Sequence, residues 1–335
     1  MKTNLKIVAL ALLLGVSVKV SAQVAAQASA PAQPPVNQVD RDELIYLTPE
    51  WKGERFPDGR PKVPDDLVQR MKSVSIEEAW ATMGQPKFNY QIAENWPIQI
   101  NPDSVLCGRA LTVTFMPYRP DMWKVIDERG KKEGRRAQNV WGVEQLQKGD
   151  VYVADQFGLH KNGPTIGDRV AADIYRRTGT GIVYDGAVRD LEGLKEMGGF
   201  TSFITSYTPS FHNPGSDQNT MIMGVNKPTR IRQVTVMPGD IVLGKQGIVI
   251  FVPPHLVERV VKASEKTRLE DMFAHIRTAE GKYTAGQMDA GWPAPIRADY
   301  LAWLKTASKD KKIKLPVAKA QVDEIIAASE VANVH

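Results

Sequence analysis

Two acids and an arginine, Asp168, Arg189 and Asp190, hold the chemistry that residue type and spacing make available in this chain. Asp168 opens a stretch in which Val170, Ala171 and Ile174 recur at helical spacing, and Arg189-Asp190 follow the apolar run Ile182-Val183-Tyr184 and the turn formers Asp185-Gly186. A helix start and a strand end brought together make a site for an anion and a metal ion. The unpaired amides of Gly167, Asp168, Arg169 and Val170, at the positive end of the helix, would face a carboxylate. Arg189 adds a planar fork for carboxylate or enolate oxygens, and Asp168 and Asp190 supply hard oxygen ligands. The same residues also have a plainer reading. An Arg-Asp pair after a strand is usually a surface ion pair, and an Asp at a helix start is usually a cap.

The elements that must position these residues are legible around them. The helix from Gly167-Asp168 is predicted to end at Gly179, with Arg176 and Arg177 in its last turn where cations suit the negative helix end. Ile182 to Tyr184 reads as a buried strand that delivers Arg189 and Asp190 to the sheet edge. Gly179-Thr180-Gly181 follows a helix and precedes a strand, the reverse of a cofactor-binding glycine loop, which argues against both a Rossmann cofactor and S-adenosylmethionine.

The spacing of Asp168, Arg189 and Asp190 resembles the Gly-X3-Asp-X20-Arg-Asp signature of the RraA-like superfamily. That superfamily includes class II pyruvate aldolases acting on 4-hydroxy-4-methyl-2-oxoglutarate and regulators of ribonuclease activity. The likeness runs from Val105 to Val261 through the blocks CGRALTV, KGDVYVAD, GIVYDGAVRD and PGDIVLGKQGIVIFVPP. It departs at Pro164, where the signature has glycine and Gly163 stands one place early, and at Lys245, where relatives often carry an acid. The resemblance implies an α/β core of the swivelling β/β/α type with mixed sheets, assembled as a homotrimer or a hexamer of two trimers with sites at subunit contacts. It implies Mg²⁺ or Mn²⁺ held by Asp190, largely through waters, and a small 2-oxo acid substrate bound by Arg189 and the helix-start amides. Asp168 would orient a water at the ion. The implied reaction is cleavage of a 4-hydroxy-2-oxo acid to pyruvate and a second oxo acid, with oxaloacetate decarboxylation open to the same enolate. A ring-forming binding or regulatory protein without catalysis is the alternative.

Around this core the chain divides by composition. Residues 1–22 join Lys2 and Lys6 to an apolar run and a small-residue end, which is the pattern of a cleavable secretory signal peptide. The run is too short for a membrane span and has no nearby cysteine for a lipid, so the mature protein is expected in the periplasm or secreted, without a stable membrane anchor. Without Lys2, Lys6 and Lys19 the formal charge falls from +5 to +2, which removes the basic signature of a nucleic-acid partner. Residues 23–39, with three prolines among alanines and glutamines, read as a disordered linker. Residues 40–102 form an N-terminal extension, 103–262 the core domain, and 263–335 a helical C-terminal extension expected to pack on its own or on an adjacent subunit.

Within these segments Asp65 and Asp66 are expected to cap a helix through Met71, and Ser75 with Glu78 to box the start of a helix through Met83. Strands are expected at Val105–Met116, ended by Pro117 and Pro120, at Val151–Ala154, and near Thr201–Ile204, Ile231–Val236 and Gly247–Val252. Helices are expected over Gln138–Leu146, Leu256–Ile276 with a break near Ser264, and Pro295–Leu304. The single cysteine, Cys107, reads as a core thiol, and Trp51, Trp80 and Trp96 as packing anchors. His160, Asn162 and His212 sit in turn-rich loops, where a lone histidine is more often a surface residue than a catalyst.

Overall fold

The computed structural model describes residues 37–84, 86–159, 163–210 and 219–332. The expected signal peptide, nearly all of the linker, His160, Asn162 and His212 lie outside these. No helix among the described residues is long and apolar enough to cross a membrane.

Three short helices come first, α1 (Arg41–Leu47), α2 (Asp65–Met71) and α3 (Ile76–Gly84), then strands β1 (Ile92–Ala93), β2 (Ile98–Ile100) and the long β3 (Leu106–Pro117). After α4 (Pro120–Lys132) the chain alternates through β4 (Asp150–Asp155), α5 (Asp168–Thr178), β5 (Ile182–Val188), α6 (Leu191–Glu196) and β6 (Ser202–Tyr207). Strands β7 (Thr220–Val225), β8 (Thr229–Ile231), β9 (Val234–Val236), β10 (Ile241–Lys245) and β11 (Ile248–Val252) precede α7 (Val257–Ala279), α8 (Ala285–Met288), α9 (Ala294–Ala307) and α10 (Lys319–Ala332). The result is a mixed α/β fold with helical extensions at both ends.

Strands β3, β4, β5 and β6 run parallel as neighbours, and β2 closes one edge antiparallel to β6. On the other side β10, β11 and β1 continue the sheet antiparallel, while β7 pairs with the second half of β3. Parallel strands covered on both faces need apolar residues at every position, which is why VYVA and IVY carry no polar alternation. Leu111, Tyr152, Ile182 and Tyr184 pack on one face against Trp141 and against Ala171 and Ile174 of α5. Val151, Val153, Val183 and Phe203 pack on the other, under Trp96 and the β8–β9 hairpin residues Ile231, Val234 and Val236. A third cluster joins α2, α3 and the start of α7 to β10 and β11.

The segment between α1 and α2 is fastened to the sheet by charge. Arg60, wholly buried, lies 2.8 Å from Asp58 and 3.1 Å from the equally buried Asp150 at the start of β4. Arg109 on β3 donates to Val63 O and to Asp65. At the other end, Phe273, Trp292, Tyr300 and Trp303 build a separate aromatic core, with ring centroids 5.3 to 5.5 Å from Phe273, so the C-terminal extension packs on its own chain.

Several expectations give way to tertiary packing. Gln138–Leu146 is not one helix but two 3-10 turns, Gln138–Val140 and Val143–Gln145. Gly142 there lies so close to β3 that an added Cβ would sit 2.4 Å from Val113, and Trp141 is drawn fully into the core. β3 ends at Pro117, and Pro120 starts α4, where a missing N–H costs nothing at the first helical position. Ile231–Val236 is a hairpin rather than one strand, because Arg232 turns the chain with φ 54°. Helix α7 runs unbroken through Ser264, whose hydroxyl donates to Glu78 at 2.8 Å. That carboxylate also accepts from the Ser75 amide, closing the expected capping box. Trp80 is 49% exposed and anchors nothing, whereas Trp96 is buried and Trp51 half-buried. Cys107 is a core thiol, donating to Val68 O at 3.5 Å, its pKa pushed up to about 12 by burial.

Candidate functional site

Helix α5 begins where a buried loop, residues 163–167, meets the end of β5. The loop is held from beneath by a chain of side-chain hydrogen bonds. The Thr165 and Tyr184 hydroxyls are bonded at 2.5 Å, Tyr184 donates to Gln156 Oε1 at 2.5 Å, and Gln156 Nε2 donates to Gly163 O. The Arg189 amide donates to Ile166 O at 3.1 Å, which joins the loop to the strand end. Burial raises the Tyr184 pKa, so its proton stays in this chain of bonds. The helix then ends at Gly179 as expected, in the left-handed conformation with φ 69°.

Two glycines allow the charged residues to approach. A Cβ on Gly167 would stand 2.3 Å from Asp190 Oδ2 and 2.6 Å from Arg189 Nε, so only glycine lets the Arg-Asp pair lie across the helix start. A Cβ on Gly193 would stand 2.9 Å from Asp168 Cβ. Gly163 is equally constrained, since its Cβ would meet Leu159 Cδ2 at 2.0 Å. Gly163 thus packs under the Leu159 side chain, and Pro164 beside it is buried.

Asp190 takes the left-handed conformation, φ 57° and ψ 46°, which aspartate tolerates better than most residues. This turn swings its carboxylate back over α5. Oδ2 accepts from the Asp168 amide at 3.4 Å and lies 3.1 Å from Arg189 Nε. Asp168 is exposed, and its Oδ1 accepts from the Arg169 amide at 2.6 Å. The structure therefore brings Asp168, Arg189 and Asp190 together at the start of α5. It does not leave all four helix-start amides open: those of Asp168 and Arg169 already meet the protein's own carboxylates, while Val170 packs its side chain on the core.

Arg189 is the least committed member. Although the Nε to Asp190 distance is that of an ion pair, the N–H is not aligned with the carboxylate, and this buried Nε has no hydrogen-bond partner among the described residues. The side chain as a whole is 32% exposed, and its guanidinium makes no side-chain hydrogen bond among the described residues. For a metal ion the donors are Asp190, with a side chain 41% exposed, and Asp168. No cluster of three or more His, Cys, Asp or Glu able to hold an ion occurs among the described residues. One or two carboxylates suit an ion such as Mg²⁺ that keeps most of its waters, and the donor set fits that ion rather than a closed protein cage.

The sequence marked Asp168, Arg189 and Asp190 by type and spacing. It missed Gln156, Thr165 and Tyr184, which act beneath them. The one available signal was a polar Gln156 directly after the apolar strand VYVA and its terminal Asp155. Lys245 donates to Val74 O at 2.6 Å, holding the turn between α2 and α3 to β10, and touches none of the three site residues.

The fold is shared with solved proteins. RraAS2 of Streptomyces coelicolor, an unusual member of the RNase ES inhibitor RraA protein family, is 23% identical over 65% of this chain and 98% of its own, with a TM-score of 0.51. An uncharacterized protein from Pseudomonas syringae pv. tomato str. DC3000 is 17% identical over 71% of this chain and 99% of its own, with a TM-score of 0.54. The RraA-like family model, Aldolase/RraA, matches residues 75–250, just over half of the chain. The chain belongs to this RraA-like family, which includes both lyases and RNase inhibitors.

Proposed function

We propose that the protein is a carbon-carbon lyase that cleaves a small 4-hydroxy-2-oxo acid to pyruvate and a second oxo acid, with Mg²⁺ or Mn²⁺ as cofactor. The observation that supports this most is the Arg189 guanidinium, its Nε within ion-pair distance of Asp190 but without a hydrogen bond among the described residues, beside two carboxylates at a helix start. A bound Mg²⁺ would supply a positive centre for the substrate's keto and carboxylate oxygens. Asp190 would hold that ion, largely through waters. Arg189 donates two parallel N–H groups to the substrate, meeting the negative charge that gathers on the keto oxygen as the bond breaks. The 4-hydroxyl proton passes to water as the carbon that bore it leaves as the second carbonyl, the bond's electron pair passes into the enolate, and the enolate carbon then takes a proton from water to give pyruvate. Asp168, exposed at the helix start, orients a water there. Oxaloacetate decarboxylation passes through the same enolate. The reading extends to an exported protein, through residues 1–22, and to a homotrimer or hexamer.

The test is release of pyruvate by the mature protein with Mg²⁺ from hydroxy-oxo diacids and from oxaloacetate. Release above the metal-free blank supports the reading, and its absence from every substrate overturns it. A second reading, a ring-forming binding protein without catalysis, is favoured by the engagement of the Asp168 and Arg169 amides with Asp190 and Asp168. It predicts no uptake of Mg²⁺ or Mn²⁺ by calorimetry even with oxalate present.

A further inference from the structure

A cavity of about 250 Å³ opens where the loop after α1 meets Phe88, the turn before β10 and the segment after β11. Its walls come from residues 47–51 and 253–255, outside the matched family segment, as well as from within it, and none of Asp168, Arg189 and Asp190 lines it. The body of the cavity is apolar and aromatic, with Trp51, Phe88 and Pro254. Its polar side chains are Thr48, Glu50, Gln91, Thr235, Asp240 and His255, and the Thr48 hydroxyl already donates to Leu44 O at 2.7 Å. Asp240 is fully buried, and its carboxylate receives the Met237 amide at 2.8 Å but has no ion-pair partner among the described residues. Burial raises that acid to about 7. Gln91, also on the wall, has a buried Oε1 without a hydrogen-bond partner among the described residues. Glu50 adds a second carboxylate at the mouth.

The cavity's one basic group, His255, stands edge-on to Phe88 with ring centroids 5.8 Å apart, and its pKa is lowered by burial, which leaves the imidazole neutral near pH 7. No lysine or arginine lines the space. An apolar chamber with aromatic walls, two carboxylates, an orphan amide oxygen and no cation of its own is complementary to one ligand chemistry.

We propose that this cavity binds a small organic ammonium ion with a compact apolar body. The charged head lies toward Asp240 and Gln91, and the body lies between Trp51 and Phe88. The head supplies the positive charge and the donors that these acceptors lack, and the rings add attraction for a cation at their faces. The volume limits the ligand to fragment size, well short of a nucleotide.

The full-length protein is titrated calorimetrically at pH 7.5 with three probes of one shape: 2-phenylethylammonium, 3-phenylpropanol and 3-phenylpropanoate. The expected result is saturable one-to-one binding of the cation, at least tenfold tighter than the alcohol, with no binding of the anion. Asp240→Asn and Trp51→Leu should each weaken the cation at least tenfold, with Asn keeping the acceptor for the Met237 amide. Should Asp240→Asn not fold, Glu50→Gln takes its place with an expected loss of at least threefold. Equal binding of all three probes, no binding of the cation, or variants that bind as the parent does would each overturn the proposal.

Discussion

At Arg189 a change that keeps the charge separates the chemistry from a surface ion pair. Arg189→Lys removes the planar fork, and loss of one preorganised donor to a developing oxyanion costs on the order of 10²–10³ in turnover. Pyruvate release should fall by roughly that factor with little change in melting temperature, because the guanidinium's ion pair with Asp190 is partly exposed and such pairs add only about 0–1 kcal/mol. Asp190→Asn tests a different role. Asparagine also accepts the left-handed backbone at φ 57°, so the variant should fold, bind Mg²⁺ more weakly and recover part of its turnover in excess Mg²⁺, which Arg189→Lys should not. Asp240 gives a readout in pH. Its folded pKa of about 7 lies above the ordinary 3.8, so the folded state holds a proton that the unfolded state has released between those values. This contribution to stability is complete below pH 3.8 and is lost as pH rises to about 7. Asp240→Asn should therefore lose less stability than the parent over that window, as read by denaturant melts at each pH. Asp168, Arg189 and Asp190 were visible in the sequence because residue type and spacing mark them, whereas Asp240 was not singled out. Gln156, Thr165 and Tyr184 were not, because each has meaning only through partners on other elements.

Among the elements, the start of α5 and the end of β5 depend on glycines as much as on charges. Gly167→Ala would drive a methyl into Asp190 and Arg189, and activity should drop with both charged residues still present. Crystallography or Mg²⁺ titration of that variant would show the carboxylate displaced. Tyr184→Phe removes the hydroxyl between Thr165 and Gln156, leaving two buried polar groups short of a partner. It should cost about 1–3 kcal/mol in a denaturant melt. The strand β4, the start of β5 and helix α5 were legible because apolar run, helical period and terminal glycine agree there, but β5 continues through Asp185-Gly186, read as turn formers, to Val188. Helix α4 was not, since Pro120 reads as a breaker although proline is also suited to the first position of a helix. The segment 138–146 was misjudged for the opposite reason. Its helical spacing is real, but Trp141 and Gly142 are claimed by the core, and nine residues hold too few local hydrogen bonds to resist.

For the molecule as a whole, the C-terminal extension has its own core around Phe273, and Phe273→Ala should cost about 3–5 kcal/mol. Because that core is separate from the sheet, the loss should show as an early unfolding step by circular dichroism while pyruvate release survives. The N-terminal extension behaves otherwise, through one buried ion pair. Arg60 finds Asp150 only across 90 positions of chain, and both are sealed from water. During synthesis, then, a ribosome has delivered Arg60 and its near neighbour Asp58 long before the buried partner Asp150 exists. Until β4 is made, the arginine is better off hydrated than inside. Residues 54–63 are consequently late arrivals, waiting in solution on the growing chain until the sheet can receive them, and hydrogen-exchange protection of that segment should appear no sooner than protection of β4.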